Sequence, residues 1–167
     1  MNALVTEAPV GQPIIIQSRM LDAPIDLVWE AMTRPEHVEH WWGPRIMKTT
    51  VDILDVRVGG RWRIIHTTPD GRAFAFHGEY REVVPPRRIV QTFGVEGMFS
   101  DRIIVETLTL ELIGDRTQYK VVSLFESVAD RDGMIASGME GGARESMERL
   151  DELLAMLKRK LPAGSAS

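Results

Sequence analysis

The sequence contains no cysteine. Disulfide bonds, thiolate metal sites and a cysteine nucleophile are therefore excluded, and the composition suits a reducing compartment. No run of about 18 apolar residues occurs, so no transmembrane helix is predicted. The formal charge is -4, and no run of basic residues offers a binding surface for nucleic acid or an anionic membrane. We therefore expect a cytoplasmic protein that binds neither.

Motifs for nucleotide binding and covalent catalysis are also missing. The pairs Gly59-Gly60 and Gly141-Gly142 lie in the wrong contexts for a phosphate loop, and no nucleophile elbow is present. We expect no cofactor. An enzyme built on this chain would depend on general acid and base groups and on the shape of its binding site.

The 167 residues are enough for one domain with its own core. The composition of residues 1–12 predicts a flexible leader, and that of residues 162–167 predicts a flexible tail. We expect a single domain over residues 13–161.

The longest amphipathic pattern runs from Asp130 to Leu161. Its apolar residues recur at spacings of three and four, which predicts one long helix with one buried face. Gly138, Gly141 and Gly142 interrupt its first half, and each interior glycine should cost about 1 kcal/mol relative to alanine. Either the helix packs closely on a sheet or is kinked, or small side chains leave room beneath it for a ligand. On the second interpretation, Gly138→Leu would fill that room.

The rest of the chain predicts one strand, two short helices and a meander of about six strands. The first strand covers Ile14–Met20, and a helix follows from near Asp22. Thr33 and Glu36 fit a capping box at the start of the second helix, which should end near Trp42. Apolar residues then alternate with polar ones between turn signals. This order is typical of an α+β domain in which the long helix covers an antiparallel sheet.

Several short motifs together resemble one protein family, the bacterial homologues of the C-terminal domain of the heat-shock ATPase activator, within the START-like SRPBCC superfamily. The motifs are Thr33-Arg34-Pro35-Glu36, Trp41-Trp42-Gly43-Pro44, Asp55-Val56-Arg57-Val58-Gly59-Gly60-Arg61-Trp62, Phe76-His77-Gly78-Glu79-Tyr80, Pro85-Pro86-Arg87-Arg88-Ile89-Val90-Gln91-Thr92-Phe93, Arg131-Asp132-Gly133-Met134 and Ser137-Gly138-Met139-Glu140.

The resemblance covers Ile14 to Leu157 and implies the helix-grip fold. In that fold a curved antiparallel sheet, here of about seven strands, surrounds a long C-terminal helix, with two short helices after the first strand. A cavity between sheet and helix binds small, largely apolar molecules. Some relatives are cyclases or aromatases, and others bind lipids or hormones.

His66 is the best candidate for a polar group that orients a ligand or moves a proton. It shares a predicted inward face with Trp62 and Ile64. A structural histidine held by hydrogen bonds is the alternative.

Glu106 is the second weak catalytic candidate, because its strand places it on the inward face between apolar residues. A buried carboxylate should pair with an arginine, raise its pKa or open onto a wet cavity. Arg57 and Arg102 are the candidate partners. With His66, Glu106 would form a hypothetical acid/base pair.

His37 and His40 share one face of a short helix but have no further ligand nearby, so we predict no metal site. Trp41 and Trp42 should plug one end of the core, with Trp42 the one that points inward.

These observations predict that the chain binds a small, largely apolar or aromatic ligand. The alternatives are a cyclase-, aromatase- or hydrolase-like enzyme using the same cavity, and a module that contacts a chaperone or regulator. The oligomeric state stays open, and a homodimer is compatible with the sequence. The predicted ligand-binding residues are Trp42, Trp62, His66, Phe76, Tyr80, Glu106, Phe125 and Met139.

Overall fold

The chain is described by a computed structural model over residues 2–97 and 103–161. These residues form eight strands and four helices. The strands are β1 (Val5–Glu7), β2 (Ile14–Leu21), β3 (Lys48–Leu54), β4 (Arg61–Thr67), β5 (Ala73–Val84), β6 (Arg88–Val95), β7 (Ile104–Ile113) and β8 (Arg116–Leu124). The helices are α1 (Ile25–Thr33), α2 (Pro35–Trp41), α3 (Val128–Ala136) and α4 (Met139–Arg159).

The strands form one antiparallel sheet in the order β1-β2-β8-β7-β6-β5-β4-β3. Strands β3 to β8 follow one another as a meander, and β2 pairs with the last strand, β8. Helices α1 and α2 therefore connect β2 to β3 at the opposite edge. The register shifts between Val51 and Ile53 and between Tyr80 and Glu82. Such bulges bend strands and increase their twist, which helps the sheet to curve.

Helix α4 supplies the apolar face that covers the sheet. Leu150, Leu153 and Leu154 are buried on it and pack with Leu21 of β2 and Leu110 of β7. This cluster extends to α1, so both layers share one core. The segregated α+β order and the long covering helix confirm the helix-grip fold.

The sheet has eight strands rather than about seven, because residues within the predicted leader form β1. Val5–Glu7 pairs with Ile16–Ser18 of β2. The buried Arg131 of α3 holds the segment that follows, since its Nη1 donates to the carbonyls of Pro9 and Gln12 at 2.8 and 2.9 Å. A three-residue strand is too short to show a periodic pattern. The predicted tail, residues 162–167, lies outside the described residues.

The prediction of one continuous helix from Asp130 to Leu161 was wrong. Helix α3 ends at Ala136 and α4 begins at Met139, and Gly138 between them has a φ of 83°. This left-handed conformation suits glycine because it has no Cβ atom. A Cβ added at Gly138 would meet no atom within 4 Å, so a leucine there would strain the backbone rather than fill space beneath the helix.

The predicted capping box at Thr33 is also absent. Thr33 is the last residue of α1, and its hydroxyl donates to the carbonyl of Trp29 at 2.7 Å. Arg34 is the N-cap of α2, without a side-chain cap. Proline at the first position of α2 supplies the start signal instead.

The break at Gly138 predicts opposite effects for two neighbouring glycines. Gly138→Ala should lower the free energy of unfolding by about 1 kcal/mol, because alanine disfavours positive φ. Gly141→Ala lies within α4 with no atom near the new Cβ, and should raise that free energy by about 0.5 kcal/mol. Chemical denaturation measures both; stabilisation by Gly138→Ala would contradict the break.

Candidate functional site

A cavity of about 500 Å³ lies between the inward face of the sheet and α4. Its volume is within the range of about 300–1,000 Å³ typical of small-molecule sites. Residues of seven strands, β2 to β8, line it, and the first turns of α4 close it from the other side. The structure brings together around it all eight residues predicted to contact a ligand: Trp42, Trp62, His66, Phe76, Tyr80, Glu106, Phe125 and Met139.

Alternation along the strands places these side chains. On β4, Trp62, Ile64 and His66 are buried, with 3%, 3% and 5% of their surface exposed. Successive side chains of a strand point to opposite faces, so these three share the inward face that the sequence predicts. Phe76 and Tyr80 extend the same face on β5.

Aromatic rings form one wall of the cavity. The ring of Trp42 lies 5.1 Å from that of Phe76 and 6.2 Å from that of Trp62, centroid to centroid. Trp41 is buried as well, and its Nε1 donates to the carbonyl of Ala31 at 2.8 Å. Both tryptophans therefore point inward, and not Trp42 alone.

His66 combines features of the structural and the functional interpretation. Its ring hydrogen-bonds to the backbone of Trp42, whereas its buried Nε2 has no hydrogen-bond partner among the described residues. Burial lowers the pKa of His66, and the positive charge of Arg149 lowers it further. The imidazole is consequently neutral near pH 7. One ring nitrogen is hydrogen-bonded to the backbone of Trp42, and Nε2 has no hydrogen-bond partner among the described residues.

Helix α4 holds the segment that covers His66. The Gly43 N–H donates to Ser146 Oγ at 2.7 Å, and Arg149 Nη1 donates to the Gly43 carbonyl at 2.7 Å. Next to it, the Arg45 N–H donates to Glu145 Oε1 at 2.6 Å. Sequence analysis missed these contacts because they join residues about 100 positions apart and have no local signal.

Glu106 is half-buried on the inward face, where Gln91 Nε2 donates to its Oε1 at 3.0 Å. Ser123 hydrogen-bonds to the same carboxyl group. Burial raises the pKa of Glu106, and these two hydrogen bonds offset that effect only in part. Of the three predicted outcomes, the structure supports the raised pKa.

The two arginines predicted as partners of Glu106 do not supply an ion pair in the described structure. Arg57 pairs instead with Asp55, at 2.9 Å. Arg102 lies outside the described residues.

A row of polar side chains crosses four strands at the level of Glu106. Ser123 of β8, Glu106 of β7, Gln91 of β6 and Tyr80 of β5 are successive cross-strand partners. All four line the cavity. The role of Gln91 was missed in the sequence, because its signal is only its place in the β6 alternation.

The register separates the two groups of the hypothetical acid/base pair. His66 pairs with Phe74, whereas Glu106 lies in the row of Tyr80, six residues further along β5. At about 3.3 Å per residue this is about 20 Å along the strand. Direct proton transfer between the two side chains therefore has no geometric support.

On α2, His37 is half-buried and His40 is exposed. Across residues 2–97 and 103–161, no group of three or more His, Cys, Asp or Glu side chains is placed to hold a metal ion. In the same residues, no helix is long and apolar enough to cross a membrane.

Comparison with known proteins assigns the chain to a family. The family described as "Activator of Hsp90 ATPase homolog 1-like protein" matches residues 22–155. The chain belongs to this family. No curated protein matches the chain.

Solved structures share the fold of this chain. A protein from Arthrobacter aurescens is 26% identical, with a TM-score of 0.84, over 95% of this chain and 92% of that one. A protein from Mycobacterium smegmatis is 22% identical, with a TM-score of 0.83, over 92% and 99%. The AHSA1 protein from Silicibacter pomeroyi is 19% identical, with a TM-score of 0.70, over 86% and 98%.

Gly43→Ala should destabilise the protein strongly. Gly43 has a φ of 89°, and a Cβ atom there would overlap Cε1 and Nε2 of His66. Backbone strain and overpacking together predict a loss of about 2–4 kcal/mol in the free energy of unfolding. Gly59→Ala is the matched control, because its φ is 82° but no atom lies within 4 Å of its Cβ. It should cost about 1 kcal/mol; equal losses in the two variants would contradict the close contact.

Glu106→Gln should change how stability depends on pH. A raised folded-state pKa means that the native state keeps its proton after the unfolded state has lost it. Stability of the wild type relative to Glu106→Gln should therefore be greatest below pH 4.5, the ordinary value, and fall as pH rises through the folded-state pKa. Denaturant titrations from about pH 4 to about pH 9 measure this difference.

The exposed Glu111 of β7 provides the control for that experiment. Glu111→Gln makes the same chemical change on the exposed face of the same strand, and its stability is measured over the same pH range. A flat difference for Glu106→Gln would show that Glu106 is ionised in the folded protein.

Proposed function

We propose that the protein binds a small, largely apolar or aromatic molecule in the cavity between the sheet and α4. The observation that carries the proposal is the cavity itself: about 500 Å³ of space inside a domain of this size. Protein interiors are normally close-packed, so a volume this large is rarely left within a core. We expect the protein to act in the cytoplasm.

The lining matches the chemistry of such a ligand. Trp42, Trp62 and Phe76 offer aromatic surface, and Met139 of α4 and Phe125 add apolar side chains on the other walls. Ligand sites of this kind combine apolar walls with a few polar groups that fix orientation. His66 and Glu106 are the predicted orienting groups.

Catalysis by a cyclase-, aromatase- or hydrolase-like mechanism would use the same cavity. The separation of His66 from Glu106 along the sheet favours binding over a reaction that needs an adjacent acid and base. The family is named for an activator of an Hsp90 ATPase. A protein-interaction role would not require an internal cavity, so ligand binding is the function that this geometry favours.

Native mass spectrometry of the purified protein is the direct test. A thermal-shift screen should follow, with fatty acids, polycyclic aromatics and flavonoid-like compounds. We expect a co-purifying mass or a ligand-dependent rise in melting temperature, because a compound that binds only the folded state stabilises it by mass action. A clean mass together with no shift across the screen would contradict the proposal.

Gly142→Leu should reduce ligand uptake without unfolding the protein. Gly142 lines the cavity, and a Cβ atom there would lie 3.9 Å from Pro44 Cγ, an ordinary contact. The leucine side chain would occupy ligand volume and should lower affinity by about tenfold or more. Helix stability should not fall, since leucine is the better helix former by about 1 kcal/mol.

Gly141→Leu is the control, because Gly141 is exposed in the same turn and does not line the cavity. Its uptake should equal that of the wild type. If Gly142→Leu bound ligand equally well, the site would have to lie elsewhere.

A further inference from the structure

The polar row at Glu106 allows the class of ligand to be narrowed, and this step depends on the proposed cavity function. Glu106 sits in the middle of that row, and each of its cross-strand neighbours also lines the cavity. Its carboxyl group is the one acidic group among the described lining residues. A ligand that occupies this part of the cavity therefore meets this group.

The hydrogen bonds of Glu106 define what the carboxyl group can offer. Gln91 Nε2 donates to Oε1, so that oxygen acts as an acceptor. A protonated carboxyl group has a single O–H donor besides its acceptor sites. Gln91 donates through its nitrogen, which cannot accept this proton. The Ser123 hydrogen bond lowers the pKa of Glu106, as a hydroxyl that donates to the carboxyl group does, so the O–H stays available to an acceptor in the cavity.

The other charged and titratable groups around the cavity leave the O–H of Glu106 available to a ligand. Among residues 2–97 and 103–161, no lysine or arginine lines the cavity. Arg19 of the adjoining β2 is buried and pairs with Asp151 of α4 at 2.7 Å, rather than with Glu106. Tyr119 and Tyr80 face the cavity with pKa values raised by burial, and His66 is neutral.

Gln17 of β2 supplies a second unused donor. Its Nε2 is buried, lines the same cavity and has no hydrogen-bond partner among the described residues. Gln17 pairs with Val121, two residues from Ser123, so it lies diagonally beside the polar row. A buried donor without a partner costs about 1–3 kcal/mol, and a ligand acceptor would remove that penalty.

We infer that the ligand is an uncharged molecule with an apolar or aromatic body and a carbonyl oxygen, which accepts a hydrogen bond from the Glu106 carboxyl group and a second from Gln17. A carbonyl oxygen has two lone pairs and can accept both. A carboxylate ligand would meet no positive side chain among the described lining residues. An ammonium ligand would require the half-buried Glu106 to ionise, and desolvation of such a pair opposes its attraction.

Four probes with the same naphthalene body test this inference by isothermal titration calorimetry. They are ethylnaphthalene, acetylnaphthalene, naphthoate and naphthylmethylammonium. Acetylnaphthalene should bind about five- to tenfold more tightly than ethylnaphthalene, the gain from a net hydrogen bond, and the two charged probes should bind more weakly than either. The ketone advantage should be full at low pH and disappear as pH rises through the pKa of Glu106.

Variants assign the effect to Glu106. Glu106→Met should remove the pH-dependent part of the ketone advantage, measured against the affinity of the same variant for ethylnaphthalene. Glu106→Gln retains an N–H donor, so it should keep the advantage but lose its pH dependence. Glu111→Met, on the exposed face of the same strand, should behave as the wild type. Gln17→Leu should reduce the advantage in part.

The outcomes separate this inference from the proposed function. Equal affinities for acetylnaphthalene and ethylnaphthalene would overturn the inference and leave the apolar cavity function in place. Tightest binding by the ammonium probe, strengthening as pH rises, would overturn it in favour of an ionised Glu106. Absence of binding by all four probes would overturn both. If Glu106→Met does not fold, the pH dependence of the ketone advantage in the wild type decides whether the Glu106 carboxyl group is the donor.

Discussion

The packing of α4 against the inward face of the sheet is the contact on which the rest of the structure depends. An antiparallel sheet with one apolar face must be covered, and the leucines of the second half of α4 provide that cover. The first half of the same helix carries Gly142 and Ala143, which line the cavity and are too small to fill it. One helix thus closes the core at one end and leaves the cavity at the other.

The same helix also organises the wall of the cavity at His66. Ser146 and Arg149 hold the backbone of Gly43, and Gly43 lies directly against the ring of His66. A side chain at position 43 would break this arrangement, so the absence of a Cβ atom matters as much as any contact. A displacement of α4 would therefore also move the backbone that contacts His66, although α4 and His66 are joined only through this short segment.

The sequence predicted the parts of this structure that depend on periodic patterns. Alternation on β4 correctly placed Trp62 and His66 on the inward face, and the motifs at Trp42 and Phe76 correctly indicated the family. The binding roles of these residues stay predictions. The break at Gly138 was missed, because the apolar spacing continues across it and only two residues, Ser137 and Gly138, separate the two helices.

Long-range contacts could not be predicted for a different physical reason. The partners of Glu106 depend on which strands become neighbours and in what register, and one shifted residue would turn Gln91 to the outer face. Arg57 was a reasonable partner by charge, yet the turn after β3 places it beside Asp55. Charge complementarity in a sequence identifies candidate partners of a charged residue, whereas the register of the sheet determines which of them are in contact with it.

Several features that reduce stability meet at this one cavity. Glu106 is half-buried with a raised pKa, and the buried Nε2 atoms of Gln17 and His66 lack hydrogen-bond partners among the described residues. Gly142 weakens the helix above them by about 1 kcal/mol relative to alanine. Apolar side chains of similar size would relieve each of these penalties without changing the fold. Their convergence on a single cavity is what a site built for a ligand requires, because the ligand supplies the missing hydrogen-bond partners and fills the volume that α4 leaves open.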